Sequence, residues 1–322
     1  MRLRLVPDHT EWDFFKYRTL TFGVSVVAMI ASVIIWIVVG LNFGIDFRGG
    51  TTIRTQSESA VVVGEYRDAI APLGLGDVSI SEVYDPSFAE NHHVAMIRIQ
   101  AQGDQESVSG ETVDQVLAAL KGVDPTIRFT QVESVGPKVS GELIQTAILA
   151  VCAALAAILF YIWLRFEWQF SVGAVAALFH DVIVTIGIFS LLQIRFDLAT
   201  IAALLTIIGY SINDTVVIFD RLRENLRKYK TMPLIGVMNL SVNETLSRTL
   251  MTSGTTLLAL IALLVLGGDV IRGFVFAITW GVIVGTYSSV YVAKNIVLWL
   301  GVKRDWTKPS NTGGNQFANI DA

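Results

Sequence analysis

Six stretches of about 20 mostly apolar residues recur along the chain, each long enough to cross a hydrocarbon layer of ~30 Å as a helix. They run roughly from Leu20 to Leu41, Leu143 to Leu164, Phe170 to Leu192, Leu198 to Phe219, Leu250 to Leu266 and Ile271 to Leu300. In lipid every backbone N–H and C=O must be paired within the protein, so stretches of this length become helices. With 52% apolar residues, 16% charged residues and a mean hydropathy of +0.56, 322 residues are too apolar for a soluble globule. The first stretch is longer than the core of a secretory signal and runs on into "NFGIDFRGG" rather than a cleavage pattern, so it reads as an uncleaved anchor.

Basic residues resist translocation and stay on the cytoplasmic side. With the N-terminus inside, the inner segments hold 15 of the 24 Lys and Arg residues, from Arg2 and Arg4 to Lys294, Lys303, Arg304 and Lys308. The two short outer loops hold only Arg195 and Arg272. Both termini are therefore expected in the cytoplasm.

The one long polar stretch, residues 47–138, then faces outward. It carries 13 acidic and 7 basic residues, a net of −6 within a chain total of −4, and an acidic surface excludes nucleic-acid binding. "TTIRTQ", "DVSISEVY", "HHVAMIRIQ" and "TIRFTQVESV" alternate like strands, with "DPSFAEN" as the turn before the third. "AVVVGEYRDAIAPL" and "SGETVDQVLAALKG" have helical spacing and stop near Gly74 and Gly122. The order strand, helix, strand, strand, helix, strand predicts one ferredoxin-like unit.

The expected fold class is thus an α-helical polytopic membrane protein: six transmembrane helices with one α+β ferredoxin-like periplasmic domain between helices 1 and 2. The expected organisation is a cytoplasmic N-terminus (1–19), a first transmembrane helix (20–41), the periplasmic domain (47–138), transmembrane helices 2–6 (143–300) and a disordered cytoplasmic tail (301–322). The single cysteine, Cys152, reads as a small buried hydrophobe. No metal-ligand spacing, P-loop or nucleophile elbow occurs, so neither an enzyme nor a cofactor or metal site is expected.

"GYSINDTVVIFDRLREN" puts Asn213 and Asp214 inside the fourth stretch. Asp214 lies roughly 24 Å along a helix that starts at Leu198, about 8 Å short of the cytoplasmic end, too deep for a one-methylene side chain to reach water. Either the span ends early near Ile212 and Asp214 is interfacial, or the acid faces protein; the apolar "TVVIF" that follows favours the second. Gly209, Ser211 and Asn213 give that helix a small, polar surface suited to close packing. Arg248 is a candidate partner, since a guanidinium holds a carboxylate ionised when near and leaves it to desolvation when distant. The alternative is an ordinary positive-inside arginine. Ser241 and Glu244 have capping-box spacing and would start the fifth helix. His180 and Asp181, mid-way along the third stretch, could relay protons or make ordinary buried hydrogen bonds, and adjacent positions about 100° apart suggest that only one faces the interior. After the first stretch, Gly49 and Gly50 allow an unusual backbone path that Asp46 and Arg48 could brace. "GVIVG", Gly281 to Gly285, has small-xxx-small packing spacing, and "DRLRENLRKYK" reads as a solvated cytoplasmic helix.

At "GIDFRGGT", "GYSINDTVVIFDRLREN", "RTLMTSGTT" and "HDV" the sequence resembles the smaller membrane subunit of the bacterial SecD/SecF protein-export family, over most of its length. The resemblance implies membership of the resistance-nodulation-division superfamily, location in the cytoplasmic (inner) membrane among membrane lipids, pairing with SecD, and action beside the SecYEG translocon on a translocating preprotein, with YajC and YidC as further partners. It implies that Asp214 and Arg248 occupy proton-transport positions and that the proton-motive force drives protein translocation. Two other functions are open to such a chain. One is a small-molecule efflux transporter of the same superfamily, against which the single outer domain of about 90 residues counts; the other is a translocon scaffold that conducts no protons.

Overall fold

The computed structural model describes residues 10–76, 78–83, 92–100 and 108–302. Among them six helices are long and apolar enough to cross a membrane. They are α1 (Arg18–Val39), α5 (Pro137–Arg165), α6 (Trp168–Leu192), α7 (Leu198–Lys228), α8 (Leu234–Leu266) and a last span built from α9 (Asp269–Ser288), a π-helical turn (Ser289–Ala293) and α10 (Lys294–Leu300). The elements between α1 and α5 are β1 (Asn42–Phe43), α2 (Ile45–Arg48), β2 (Gly50–Ser57), α3 (Val63–Ile70), β3 (Val78–Val83), β4 (His93–Gln100), α4 (Gly110–Val123) and β5 (Arg128–Val135); β6 (Arg195–Phe196) lies between α6 and α7. The "DPSFAEN" turn and most of the tail lie outside the described residues.

α6 sits at the centre of the bundle, more than half of its most apolar stretch being buried, whereas α1, α5 and α8 keep nearly all of theirs on the outside. Ile37, Leu149 and Leu266 point outward from those three helices. Small residues bring the central helices together. Gly187 of α6 lies against Ser32 of α1, Gly281 of α9 against Ile207 of α7, and Gly285 against Ser211, so "GVIVG" is a packing seam.

Two boundaries differ from the apolar pattern. α8 begins at Leu234, directly after Pro233, and not at the Ser241–Glu244 box. Ser241 is buried inside the helix and donates to the Val237 carbonyl, while Glu244 accepts from Arg221 and Asn225. The early turns of α8 are amphipathic, and Val237 and Met238 pack with Phe219, Leu222 and Leu226 of α7. α7 likewise runs on through "DRLREN" without a break. Cys152 is exposed on α5, not buried, because that helix turns most of its surface outward.

The segment between α1 and α5 forms a four-stranded antiparallel sheet in the order β3-β4-β2-β5. One face carries Ile53, Ile97 and Ile99, which pack with Tyr66 and Ile70 of α3 and Val116 and Leu120 of α4. Strand alternation puts Thr52, Arg54, Met96 and Arg98 on the other face. Gly122 falls inside α4, whose stop is Asp124; its carboxylate accepts from the Thr126 backbone N–H at 2.8 Å and hydroxyl at 2.7 Å.

Candidate functional site

Both α6 and α7 carry a buried acid. Asp181 is 1% exposed and Asp214 is 3% exposed. Asp181 Oδ2 accepts from the hydroxyls of Ser211 on α7 at 2.6 Å and Ser288 on α9 at 2.8 Å, and its Oδ1 lies 2.9 Å from His180 Nδ1. One carboxylate thus ties three helices together. His180 is also buried, beside the Tyr287 ring. The expectation that only one of the pair faces inward fails, because α6 is enclosed by neighbours on most sides.

Asp214 has no such set of donors. Among the described residues its Oδ2 is buried without a hydrogen-bond partner, as are the hydroxyls of Thr215 beside it and Thr249 on the facing α8. Ser253 and Arg248 are the polar groups that act on it. Ser253 belongs to a hydroxyl cluster, lying 2.8 Å from Thr286 on α9 and accepting from Tyr210 at 3.3 Å. Arg248 is exposed on the outside of α8 and makes no contact ion pair with Asp214, so the interaction runs over a longer distance. Asn213 is exposed as well, since the turn that buries Asp214 points its neighbour about 100° away. Chemically this is a buried carboxyl group beside hydroxyls of α7 and α8.

The junction after α1 lies at the N-terminal end of α7. Gly49 and Gly50 adopt φ of 72° and 132°, left-handed values that glycine takes without penalty. β1 pairs in parallel with β6, Asn42 opposite Arg195 and Phe43 opposite Phe196. Asp46 Oδ2 accepts from the Leu198 backbone N–H at 3.0 Å, supplementing the Asp197–Thr200 capping box at the start of α7. Arg48 is exposed and is not part of that brace.

Several polar residues of the interior escaped the sequence reading. Ser253, Thr286 and Ser288 look like ordinary small residues of apolar helices, Ser211 reads only as part of a small packing surface, and their convergence alone gives them meaning. Lys294 counted as one more cytoplasmic cation; it is 1% exposed, with Nζ over the rings of Phe15 at 4.0 Å and Phe14 at 5.2 Å. Its signal was a single lysine inside the last apolar stretch.

The protein-export membrane protein SecD/SecF C-terminal family matches residues 115–303, and the SecD/SecF GG motif matches residues 34–61. The chain is 67% identical over 321 residues to protein translocase subunit SecF of Cereibacter sphaeroides, covering 100% of this chain and 99% of that one. It is 42% identical over 298 residues to the Vibrio alginolyticus protein of the same name, covering 92% of each. Among solved structures it is similar to SecDF of Thermus thermophilus, described as a translocon-associated membrane protein, with a TM-score of 0.81, 35% identity and 93% of this chain covered. A SecDF structure in a super-membrane-facing form matches with a TM-score of 0.68 at 36% identity over 92% of this chain. The chain spans 40% and 39% of the length of those two solved chains.

Proposed function

The chain belongs to the SecD/SecF protein-export family and serves protein translocation, and from that premise we propose that it couples the proton-motive force to movement of its outer domain. Asp214 is the proton-carrying group in this reading, with Arg248 modulating it and Asp181 and His180 as neighbouring polar groups. The observation that carries the reading is a carboxyl buried in the bundle with an unpartnered oxygen, on a helix whose outer end is bonded to the domain junction. Protonation removes the charge that burial disfavours, which changes how tightly α7 and α8 can close on that point. α7 is continuous from Leu198 past Asp214, so a displacement there reaches Asp46, β1 and β6 without an intervening loop. One charge crossing 100 mV releases about 2.3 kcal/mol, enough to bias a two-state movement more than tenfold.

The bias of Lys and Arg supports cytoplasmic termini and a periplasmic domain at 47–138, in a multi-pass protein of the bacterial inner membrane. The strand order and the pair of helices on one face support the ferredoxin-like type for that domain. SecD is the expected partner. The outward apolar faces of α1, α5 and α8 are where its helices and membrane lipids would lie, and SecYEG, YajC, YidC and the translocating preprotein complete the assembly. No nucleic acid enters this scheme.

The test is Asp214→Asn, nearly isosteric and unable to ionise. Assembly with SecD should survive while stimulation of preprotein transport by the proton-motive force in membrane vesicles is lost. Retained stimulation would leave the acid a structural group and favour a scaffold.

A further inference from the structure

A cavity of about 650 Å³ separates the polar face of the sheet from the outer ends of the spans. Its roof includes Thr52, Met96 and Arg98; its floor includes Arg195 of β6 and Val270 and Phe274 at the start of α9. Two guanidinium groups from opposite sides converge on one sulfur, Arg98 Nη2 at 3.3 Å and Arg195 Nη1 at 3.7 Å from Met96 Sδ. Arg54 stands opposite Met96 in the strand register and also lines the cavity. Three donors facing this space are buried and have no hydrogen-bond partner among the described residues: Arg98 Nε, Arg195 Nε and the hydroxyl of Thr52, itself 7% exposed.

Of the acids of the lining, Asp197 forms a long ion pair with one of those donors, its Oδ2 lying 3.6 Å from Arg195 Nε, which leaves that N–H without a hydrogen bond. Asp46 accepts from the α7 backbone, and Asp197 also caps α7. Glu82 lies beside His93, and Glu133 accepts from Gln131. Burial, and then the neighbouring Arg195, push the Arg98 guanidinium down to about 10. Two like charges held around a neutral sulfur between two parts of the protein are a site that an anion completes.

We propose that this cavity binds the phosphate of a phospholipid headgroup, between Arg98 and Arg195 with the Thr52 hydroxyl as a further donor, and so pins the outer domain to the membrane surface. The lipid source follows from the floor. Val270 and Phe274 belong to the first turns of the last helix long and apolar enough to cross a membrane, so a phosphate held by the two arginines has apolar side chains beside it for the start of its acyl chains. The proposal rests on the membrane-spanning reading of the chain and not on proton coupling, and binding is measured without transport.

The full chain in detergent micelles is titrated with dihexanoyl phosphatidylglycerol, with inorganic phosphate as a separate arm, and bound phosphorus is followed by 31P line broadening. The expected result is saturable lipid binding, weakened at least about tenfold by Arg98→Gln or Arg195→Gln and largely retained in Arg98→Lys, with near-ultraviolet circular dichroism unchanged. If the Gln variants lose the native dichroism, Thr52→Val and the Lys variant decide, the first expected to weaken binding and the second to keep it. Unaltered binding in every variant, or no saturable binding by wild-type protein, overturns the site. Inorganic phosphate binding as tightly as the lipid overturns the lipid as its occupant.

Discussion

Asp46 in the linker after the first span accepts a hydrogen bond at 3.0 Å from the backbone N–H of Leu198, the first residue of the helix that carries Asp214. Asp214 lies sixteen positions after Leu198, roughly 24 Å along one rod. The brace to the domain between α1 and α5 and the buried acid are therefore carried by one helix, the first at its start and the second near its middle.

Asp46→Ala removes one acceptor from the α7 N-terminus. The expected cost is about 1 kcal/mol of stability, as for other lost N-caps. Transport stimulation should fall more than the melting temperature does, because Asp197 still caps the helix while its tie to the linker is gone. Equal loss of both would mean that Asp46 only stabilises. Parallel melting curves and vesicle transport assays check this.

Two glycines of the bundle should behave oppositely. A Cβ at Gly187 would stand 2.2 Å from Ser32 Oγ and 2.7 Å from its Cα, so Gly187→Ala must push α1 from α6 and cost about 1–3 kcal/mol. A Cβ at Gly209 meets nothing within 4 Å in this chain, and Gly209→Ala should leave the melting temperature equal or higher, since alanine favours helix by up to about 1 kcal/mol. Thermal melting in detergent distinguishes them.

Asp181 acts as a three-helix tie, so its effects should be coupled to those of its donors. Asp181→Ala strands the Ser211 and Ser288 hydroxyls and is expected to cost about 1–3 kcal/mol. In a double-mutant cycle with Ser288→Ala, the combined loss should be smaller than the sum of the single losses. Strict additivity would show that the hydrogen bond contributes nothing.

Acid should weaken the outer domain through Asp124. The Thr126 hydroxyl, and then its backbone N–H, hold this carboxyl below the usual carboxylate range, against burial acting the other way. A folded value below an unfolded one of about 3.9 gives stability that is fully present above that pH and is lost as pH falls through the folded value. Asp124→Asn should therefore lower the stability of the domain at neutral pH and flatten its dependence below about pH 4. Hydrogen exchange of the β2 and β5 amides in the full chain, as a function of pH, reads this out.

Lys294 is a buried cation with aromatic faces and, among the described residues, no hydrogen-bond partner for Nζ. Lys294→Met keeps its length and removes a desolvated charge, and should leave stability equal or higher. Lys294→Glu, with rings around an anion, should lower the melting temperature by several degrees.

Much of this architecture follows from periodicity alone. The runs from Leu20, Phe170 and Leu198 begin within two residues of α1, α6 and α7, because hydrocarbon leaves no other way to pair the backbone. The strands of the outer domain are legible in their alternation, since one face meets α3 and α4 and the other does not. Where an amphipathic segment adjoins an apolar one, pattern fails. The first turns of α8 pack on α7 through Val237 and Met238 and gave no apolar window, so the Ser241–Glu244 spacing looked like a start when it lies inside a helix.

The sequence by itself determined the spans, the outer sheet and the unusual acid at position 214, because each depends on residues close together in the chain. Only the tertiary structure decided that Ser211 and Ser288 serve Asp181, that Lys294 is caged by Phe14 and Phe15, that Arg248 stands outside, and that Arg98 meets Arg195 across a cavity. Those pairings join helices and strands far apart in sequence, and a hydrogen bond or a repulsion between them exists only once packing has fixed which faces meet.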